Sequence, residues 1–167
     1  IMTQKYRVLV TRKWPSSVEK ELKETFDTTL NETDTPLTEN ELIEAINNYD
    51  ALLPTVTDTI SDKIISSSNR KAKIIGNFGV GFNNIDIDSA KKNSVVVTNT
   101  PEVLTDCTAD IAMLLLLGAG RRASEGEFHV RKKEWTGWRP THMMGTKITG
   151  KVLGLVGMGR IAQAVAH

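Results

Sequence analysis

Lys73-Ile74-Ile75-Gly76-Asn77-Phe78-Gly79-Val80-Gly81-Phe82-Asn83-Asn84-Ile85-Asp86 opens as a strand, passes through a glycine-bearing loop and ends where a helix starts. The helix is expected from Asp86 to Asn93, and Ser94-Val95-Val96-Val97-Thr98 follows as a second β-branched strand. Two strands joined through a helix lie parallel, because a tight hairpin cannot connect them. Working back towards the N-terminus, Ile60 to Ser68 reads as a helix and Asp50-Ala51-Leu52-Leu53-Pro54 as a short buried strand ended by proline. Thr38-Glu39-Asn40-Glu41 has the spacing of a capping box, and Leu42, Ile43 and Ile46 supply the apolar stripe of the helix it opens. Ser16-Ser17-Val18-Glu19 repeats that signature ahead of a helix from about Ser17 to Thr25, and Tyr6 to Thr11 is the first strand. Strand and helix alternate throughout, the pattern of an α/β fold. Residues 1–99 are therefore expected to form a flavodoxin-like, doubly wound parallel-sheet domain.

Beyond Thr98 the pattern changes. Thr100-Pro101-Glu102 offers an N-cap candidate, a pre-set proline and an early carboxylate, so a helix is expected to open there or restart near Thr105. It continues through Ala109, Ile111 and Leu114 to Leu117 and is apolar nearly all round, so it needs burial on several sides. A polar, loop-rich stretch holding Trp135, Trp138 and Pro140 follows, and then Lys151-Val152-Leu153-Gly154-Leu155-Val156 reads as a strand. That strand runs into Gly157-Met158-Gly159-Arg160-Ile161-Ala162, a G-x-G-x-x-A turn with a helix-forming run after it. The first glycine permits a tight turn, the second a close approach to a pyrophosphate, and Ala162 keeps helix and strand close. Three small residues also occur by chance, so a plain strand-to-helix turn stays open on this pattern alone. Residues 100–167 are expected to hold an interdomain helix and the first strand-turn-helix of a Rossmann NAD(P)-binding domain. An acidic cofactor selector would lie ~20 residues past the glycines, beyond His167, so NAD and NADP are not separated. Too few strands follow to cover the apolar helix, and exposed apolar surface with self-association, as a homodimer, is expected.

Composition narrows the class. Among 167 residues, 21 basic and 20 acidic side chains leave a net charge of +1, without the basic excess of a nucleic-acid binder. The locally basic stretch from Arg121 to Arg139 reads as a solvated helix face. Cys107, the single cysteine, excludes an intramolecular disulfide and a thiolate metal cluster, and is expected to be a small buried helix residue. The leading Ile1-Met2-Thr3-Gln4-Lys5 is too short and runs too directly into a strand for a signal peptide. The longest apolar run, Ile111 to Ala119, is about half of what a bilayer requires. A cytoplasmic protein without membrane or metal partners is expected. His129, His142 and His167 have no evident carboxylate partner in sequence and read as ordinary exposed histidines.

Three stretches together resemble the D-2-hydroxyacid dehydrogenase family. Asn77 to Asp86 is similar to its V-G-x-D-N-I-D loop. Thr98-Asn99-Thr100-Pro101 through Thr108-Ala109-Asp110 to Arg121-Arg122 is similar to its long interdomain helix. Gly145 to Ala162 is similar to its G-x-x-x-x-G-K-x-x-G-x-x-G-x-G-R-I-G/A entry to the cofactor domain. The resemblance implies an oxidoreductase acting on small 2-keto or 2-hydroxy acids, closest in look to glyoxylate and hydroxypyruvate reductases. It implies substrate-carboxylate binding by the backbone at Val80 and Gly81, where a glycine leaves room for two amides to converge on an anion. Leu53 to Val56, with Thr55 and Val56 foremost, would shape the substrate pocket. Val80 and Thr108 would lie on the nicotinamide side of the cofactor, and Gly157, Met158, Gly159, Arg160 and Ile161 would hold its pyrophosphate. Asn83 stands where the family pattern has aspartate. The family's catalytic arginine, glutamate and histidine follow the glycine turn, so the resemblance places no catalytic residue in this chain, which is expected to be inactive alone. Two other readings remain: an NAD(H)-sensing corepressor of the same family that binds peptides, and a stand-alone small nucleotide-binding module.

Overall fold

A computed structural model describes residues 5–167, and these divide into two compact units at the Val103–Leu104 junction. Residues 1–4, on which the signal-peptide reading largely rests, lie outside the described residues. The first unit holds a five-stranded sheet: β1 (Arg7–Val10), β2 (Asp27–Leu30), β3 (Ala51–Leu53), β4 (Ile74–Gly76) and β5 (Val96–Thr98). Every pairing is parallel, in the order β2-β1-β3-β4-β5, the flavodoxin-like order expected of a doubly wound sheet. Val8 and Val10 of β1, Leu52 of β3 and Ile75 of β4 are buried, with Leu52 set opposite both Leu9 and Ile75. α2 (Glu39–Asn48) contributes Leu42, Ala45 and Ile46 to the same core, and α3 (Asp62–Ile65) contributes Ile64 and Ile65. Each such side chain removed from water contributes about 1.5–3 kcal/mol.

The helix ends follow local chemistry. Thr38 and Glu41 form the expected capping box at α2: the Thr38 hydroxyl accepts from the Glu41 amide, and Glu41 accepts from the Thr38 amide at 2.7 Å. The corresponding box at α1 (Ser16–Thr25) does not form. Pro15 occupies the cap position, no side-chain cap bond is made, and Glu19 reaches past Ser16 to the amide of Trp14 at 2.8 Å. Proline has no N–H for Glu19 to bond, so the nearest free donor lies one residue further back. α3 is far shorter than the expected Ile60–Ser68, because three consecutive serines from Ser66 favour local side-chain bonding over helix propagation. β2 is a strand the sequence pattern does not announce. α4 (Ile87–Lys92) carries Asp86 as its cap, with the carboxylate accepting from the Ser89 amide at 2.8 Å.

The second unit holds α5 (Thr105–Gly120), α6 (Ala123–Arg131) and α7 (Arg160–Ala166). α5 begins at the later of the two expected starts, and α6 occupies the first part of the basic stretch, where Arg122–Glu125 and Arg131–Glu127 pairs decorate a solvated surface. Only Ala109 of α5 is buried, while Leu114 and Leu115 are 63% and 65% exposed. The burial that its composition calls for is therefore not supplied among the described residues. Cys107 is exposed rather than buried, since it lies in the open first turn of α5. Residues 151–156 form no strand: among the described residues no ladder partner stands beside them, and Val152 and Val156 are fully exposed. Without a neighbour to accept its hydrogen bonds, an extended segment is not a β-strand, whatever its composition.

Candidate functional site

In this strand order the chain reverses its winding between β1 and β3, so the crevice at their carboxyl ends is the natural place for a ligand. Thr11 and Arg12 leave β1 there, Pro54 to Asp58 leave β3, and Asn77 to Phe82 leave the adjacent β4. Asp58 is 4% exposed and anchors the floor. One of its oxygens accepts from the Thr11 hydroxyl at 2.5 Å and the Thr55 amide at 2.8 Å. Arg12 donates to Asp34 at 2.9 Å and to the Thr57 hydroxyl at 3.2 Å. The Arg12 guanidinium, followed by the Lys13 amide, holds the Asp34 carboxyl below its ordinary range. Trp14 and Phe78 meet with ring centroids 5.0 Å apart.

Val80 and Gly81 sit in the loop after β4. Their carbonyls are both engaged: Val80 accepts from the Asn99 side chain at 2.8 Å, and Gly81 from the Asn77 side chain at 2.9 Å. Their two amides have no hydrogen-bond partner among the described residues. Adjacent backbone donors left free in this way are suited to an anion such as a carboxylate. The steric need for glycine differs from the expectation. A Cβ at Gly81 would meet nothing within 4 Å, whereas one at Gly79 would lie 2.2 Å from Val56 Cγ1. Gly79 is therefore what lets this loop pack against the segment holding Thr55 and Val56, and Gly81 borders open space. Thr55 and Phe78 form a parallel bridge, and the Phe78 amide donates to Pro54 at 2.8 Å. The structure thus gathers Thr55, Val56, Val80 and Gly81 at one end of the sheet. A separate cavity of about 270 Å³ between α4 and β5 touches Phe82 and Asn99 but none of these four.

The remaining candidates belong to the second unit. Thr108 lies in the first turn of α5, its amide donating to Leu104 at 3.0 Å. Gly157 adopts φ +92°, a left-handed conformation suited to glycine. Gly159 caps α7 without a side-chain bond. A Cβ at either Gly157 or Gly159 would meet nothing within 4 Å. The open backbone at Gly157 and Gly159 leaves room for a dinucleotide pyrophosphate. The turn departs from the expectation in lacking a paired strand before it.

Two histidines correct a sequence expectation. His129 and His142 are half-buried and stacked edge to face at 5.3 Å, and His129 Nδ1 lies 3.5 Å from a Glu134 carboxylate oxygen. The turn after α6 brings Glu134 back onto the helix, a contact that sequence spacing does not advertise. Burial first, then the neighbouring Arg139 guanidinium, push the His142 imidazole below its ordinary pKa. Sequence reasoning also passed over Asp58, Asn77, Asn84 and Asn99. The available signal was their position: polar residues just beyond buried strands, where hydrogen-bonding side chains replace the sheet ladder.

With the geometry in place, the class is defined by comparison. The profile for the D-isomer specific 2-hydroxyacid dehydrogenase catalytic domain matches residues 8–166. The chain belongs to this family. It is 38% identical over 162 residues to a glycerate dehydrogenase of Hyphomicrobium methylovorum and 39% identical over 167 residues to a glyoxylate reductase of Thermococcus onnurineus. Those matches take in 97% and 98% of this chain but 50% of each relative, so the chain spans about half their length. Among solved structures, a D-isomer specific 2-hydroxyacid dehydrogenase from Polaromonas superimposes with a TM-score of 0.89 at 37% identity, covering 96% of this chain and 50% of that one. An NADPH-dependent glyoxylate/hydroxypyruvate reductase from Sinorhizobium meliloti, solved with NADP and malonate, gives 0.75 at 28% identity, covering 98% of this chain and 49% of that one.

Proposed function

We propose that this chain is the substrate-side portion of an NAD(P)-dependent 2-hydroxyacid dehydrogenase that reduces a small 2-keto acid such as glyoxylate or hydroxypyruvate. The observation that carries the reading is the pair of amides at Val80 and Gly81, without a partner among the described residues, whose carbonyls are held by Asn99 and Asn77. These amides bind the substrate carboxylate, and Thr55 and Val56 form the adjoining pocket wall. Malonate in the Sinorhizobium meliloti reductase shows that such a relative accepts a small dicarboxylate. Residues 1–99 act as the substrate domain, and 100–167 begin the cofactor domain. Gly157, Met158, Gly159, Arg160 and Ile161 hold the pyrophosphate, with Val80 and Thr108 on the nicotinamide side. When bound, the cofactor supplies hydride chemistry that no amino-acid side chain provides. Gly159 has φ −75°, a conformation open to any residue, so its lack of a side chain serves close ligand approach rather than the turn itself.

The chain's own residues then bind and orient the keto acid. A cytoplasmic location and a homodimer complete the proposal, the latter supported by the exposed Ile111, Leu114, Leu115 and Leu117 on α5. Kinetics on two proteins test the reading. The 167-residue chain is expected to show no glyoxylate-dependent oxidation of NADH or NADPH. The product of the uninterrupted reading frame is expected to turn glyoxylate or hydroxypyruvate over. Turnover by the short chain, or none by the longer product with either keto acid, contradicts it.

A further inference from the structure

The loop bearing Val80 and Gly81 and the loop from Thr55 to Asp58 come from different strands, yet one pair of side-chain amides ties them. The Asn84 Nδ2 group donates to the backbone carbonyls of Thr55 and Asp58, both at 3.1 Å, and to Asn77 Oδ1 at 3.1 Å. Two of these acceptors are carbonyl oxygens, which fixes the orientation of the Asn84 amide, since its oxygen cannot face them. Asn84 Oδ1 in turn accepts from Asn77 Nδ2 at 3.3 Å, and the same Asn77 nitrogen donates to the Gly81 carbonyl. Asn77 is 2% exposed, so its bonds form where water competes poorly. Each loop is also tied to the fold elsewhere. The Asp58 carboxylate accepts from the Thr55 amide, and the Asn99 side chain donates to the Val80 carbonyl.

We propose that the Asn77–Asn84 amide pair is a positioning device, which locks the Gly79–Phe82 loop to the Thr55–Asp58 loop so that carboxylate site and pocket wall form one body. The inference rests on the carboxylate reading of Val80 and Gly81, but the coupling between the loops stands on geometry alone. Asparagine is required at position 84 because one planar group must supply two N–H donors, shared among three oxygens, and one acceptor. Aspartate there keeps the shape and sets a carboxylate against two carbonyl oxygens.

The test uses ¹⁵N-labelled chain with Asn84→Asp and, as a second variant without the repulsion, Asn84→Ala. Amide hydrogen exchange is followed without ligand, and oxalate, the dicarboxylate analogue of glyoxylate, is then titrated against the Val80 and Gly81 resonances. In both variants the amides of Thr55, Asp58 and Phe78 are expected to exchange at least about ten-fold faster, the signature of local opening. The Val10 and Leu52 amides in the paired strands are expected to keep the wild-type rate, and the oxalate Kd is expected to rise several-fold. Unchanged loop exchange overturns the proposal. So does equal acceleration at Val10 and Leu52, which marks general destabilisation. A wild-type chain that ignores oxalate removes the carboxylate reading alone, and the exchange pattern still decides whether the pair couples the loops.

Discussion

Replacing Asp58 with alanine is expected to destabilise the first unit by about 3 kcal/mol, because charge-assisted bonds to buried donors contribute roughly 1.5–3 kcal/mol each. The carboxylate joins what leaves β1 to what leaves β3: Thr11 and Thr55 both donate to it. Alanine leaves the Thr55 amide and the buried Thr11 hydroxyl without that acceptor in a place water reaches poorly. Because Thr11 and Thr55 donate to the same oxygen, Asp58→Asn keeps an acceptor for both and loses only the charge, so a smaller loss is expected. Urea denaturation followed by far-UV circular dichroism measures both. A loss under about 1 kcal/mol for Asp58→Ala would mean that water replaces the carboxylate freely and that the floor of the crevice is not built on it.

A second large loss is expected at Ile75. It is fully buried in β4, opposite Leu52 on one side and Val97 on the other. Truncation to alanine removes three carbons from the middle of the sheet and leaves a cavity that rigid strand neighbours cannot fill. The cost is about 2–5 kcal/mol on the scale of isoleucine-to-alanine changes in cores. Ile74, its neighbour in sequence, is 44% exposed, and the same substitution there is expected to cost under about 1 kcal/mol. Equal losses at the two positions would mean that the alternation of β4 is not as described.

That alternation was legible in the sequence, and the exceptions have physical causes. β1, β3, β4 and β5 are short apolar runs between turn signals, so their strand character follows from composition. β2 was not legible: Asp27-Thr28-Thr29-Leu30 is a polar edge strand paired only with β1, and its place depends on a partner distant in sequence. Ser16 is not a cap because the helix already begins at it, with Pro15 in the cap position and Glu19 bonded to the Trp14 amide, whereas Thr38 succeeded with the same spacing. The strand expected at 151–156 shows the limit of composition most clearly, since its residues suit a ladder that no neighbour among the described residues completes.

The site was legible in part. The glycines around Val80 mark an unusual loop, but the sequence assigned the steric requirement to Gly81 and the coordinates assign it to Gly79 against Val56. The asparagines at 77, 84 and 99 lie in or beside the quoted motifs, yet nothing in their spacing says which carbonyl each one holds. Those bonds span up to 29 residues and exist only once the strands are aligned.

The central claim is that the Val80 and Gly81 amides receive a carboxylate. Its most direct measurement is the oxalate titration of the ¹⁵N-labelled chain, read at every assigned backbone amide. The account predicts saturable downfield shifts concentrated at Val80 and Gly81, weaker ones at Thr55 and Val56, and none in the sheet interior at Val10 or Leu52. Shifts scattered over surface lysines, or the absence of a response at Val80 and Gly81 while another region saturates, would contradict it.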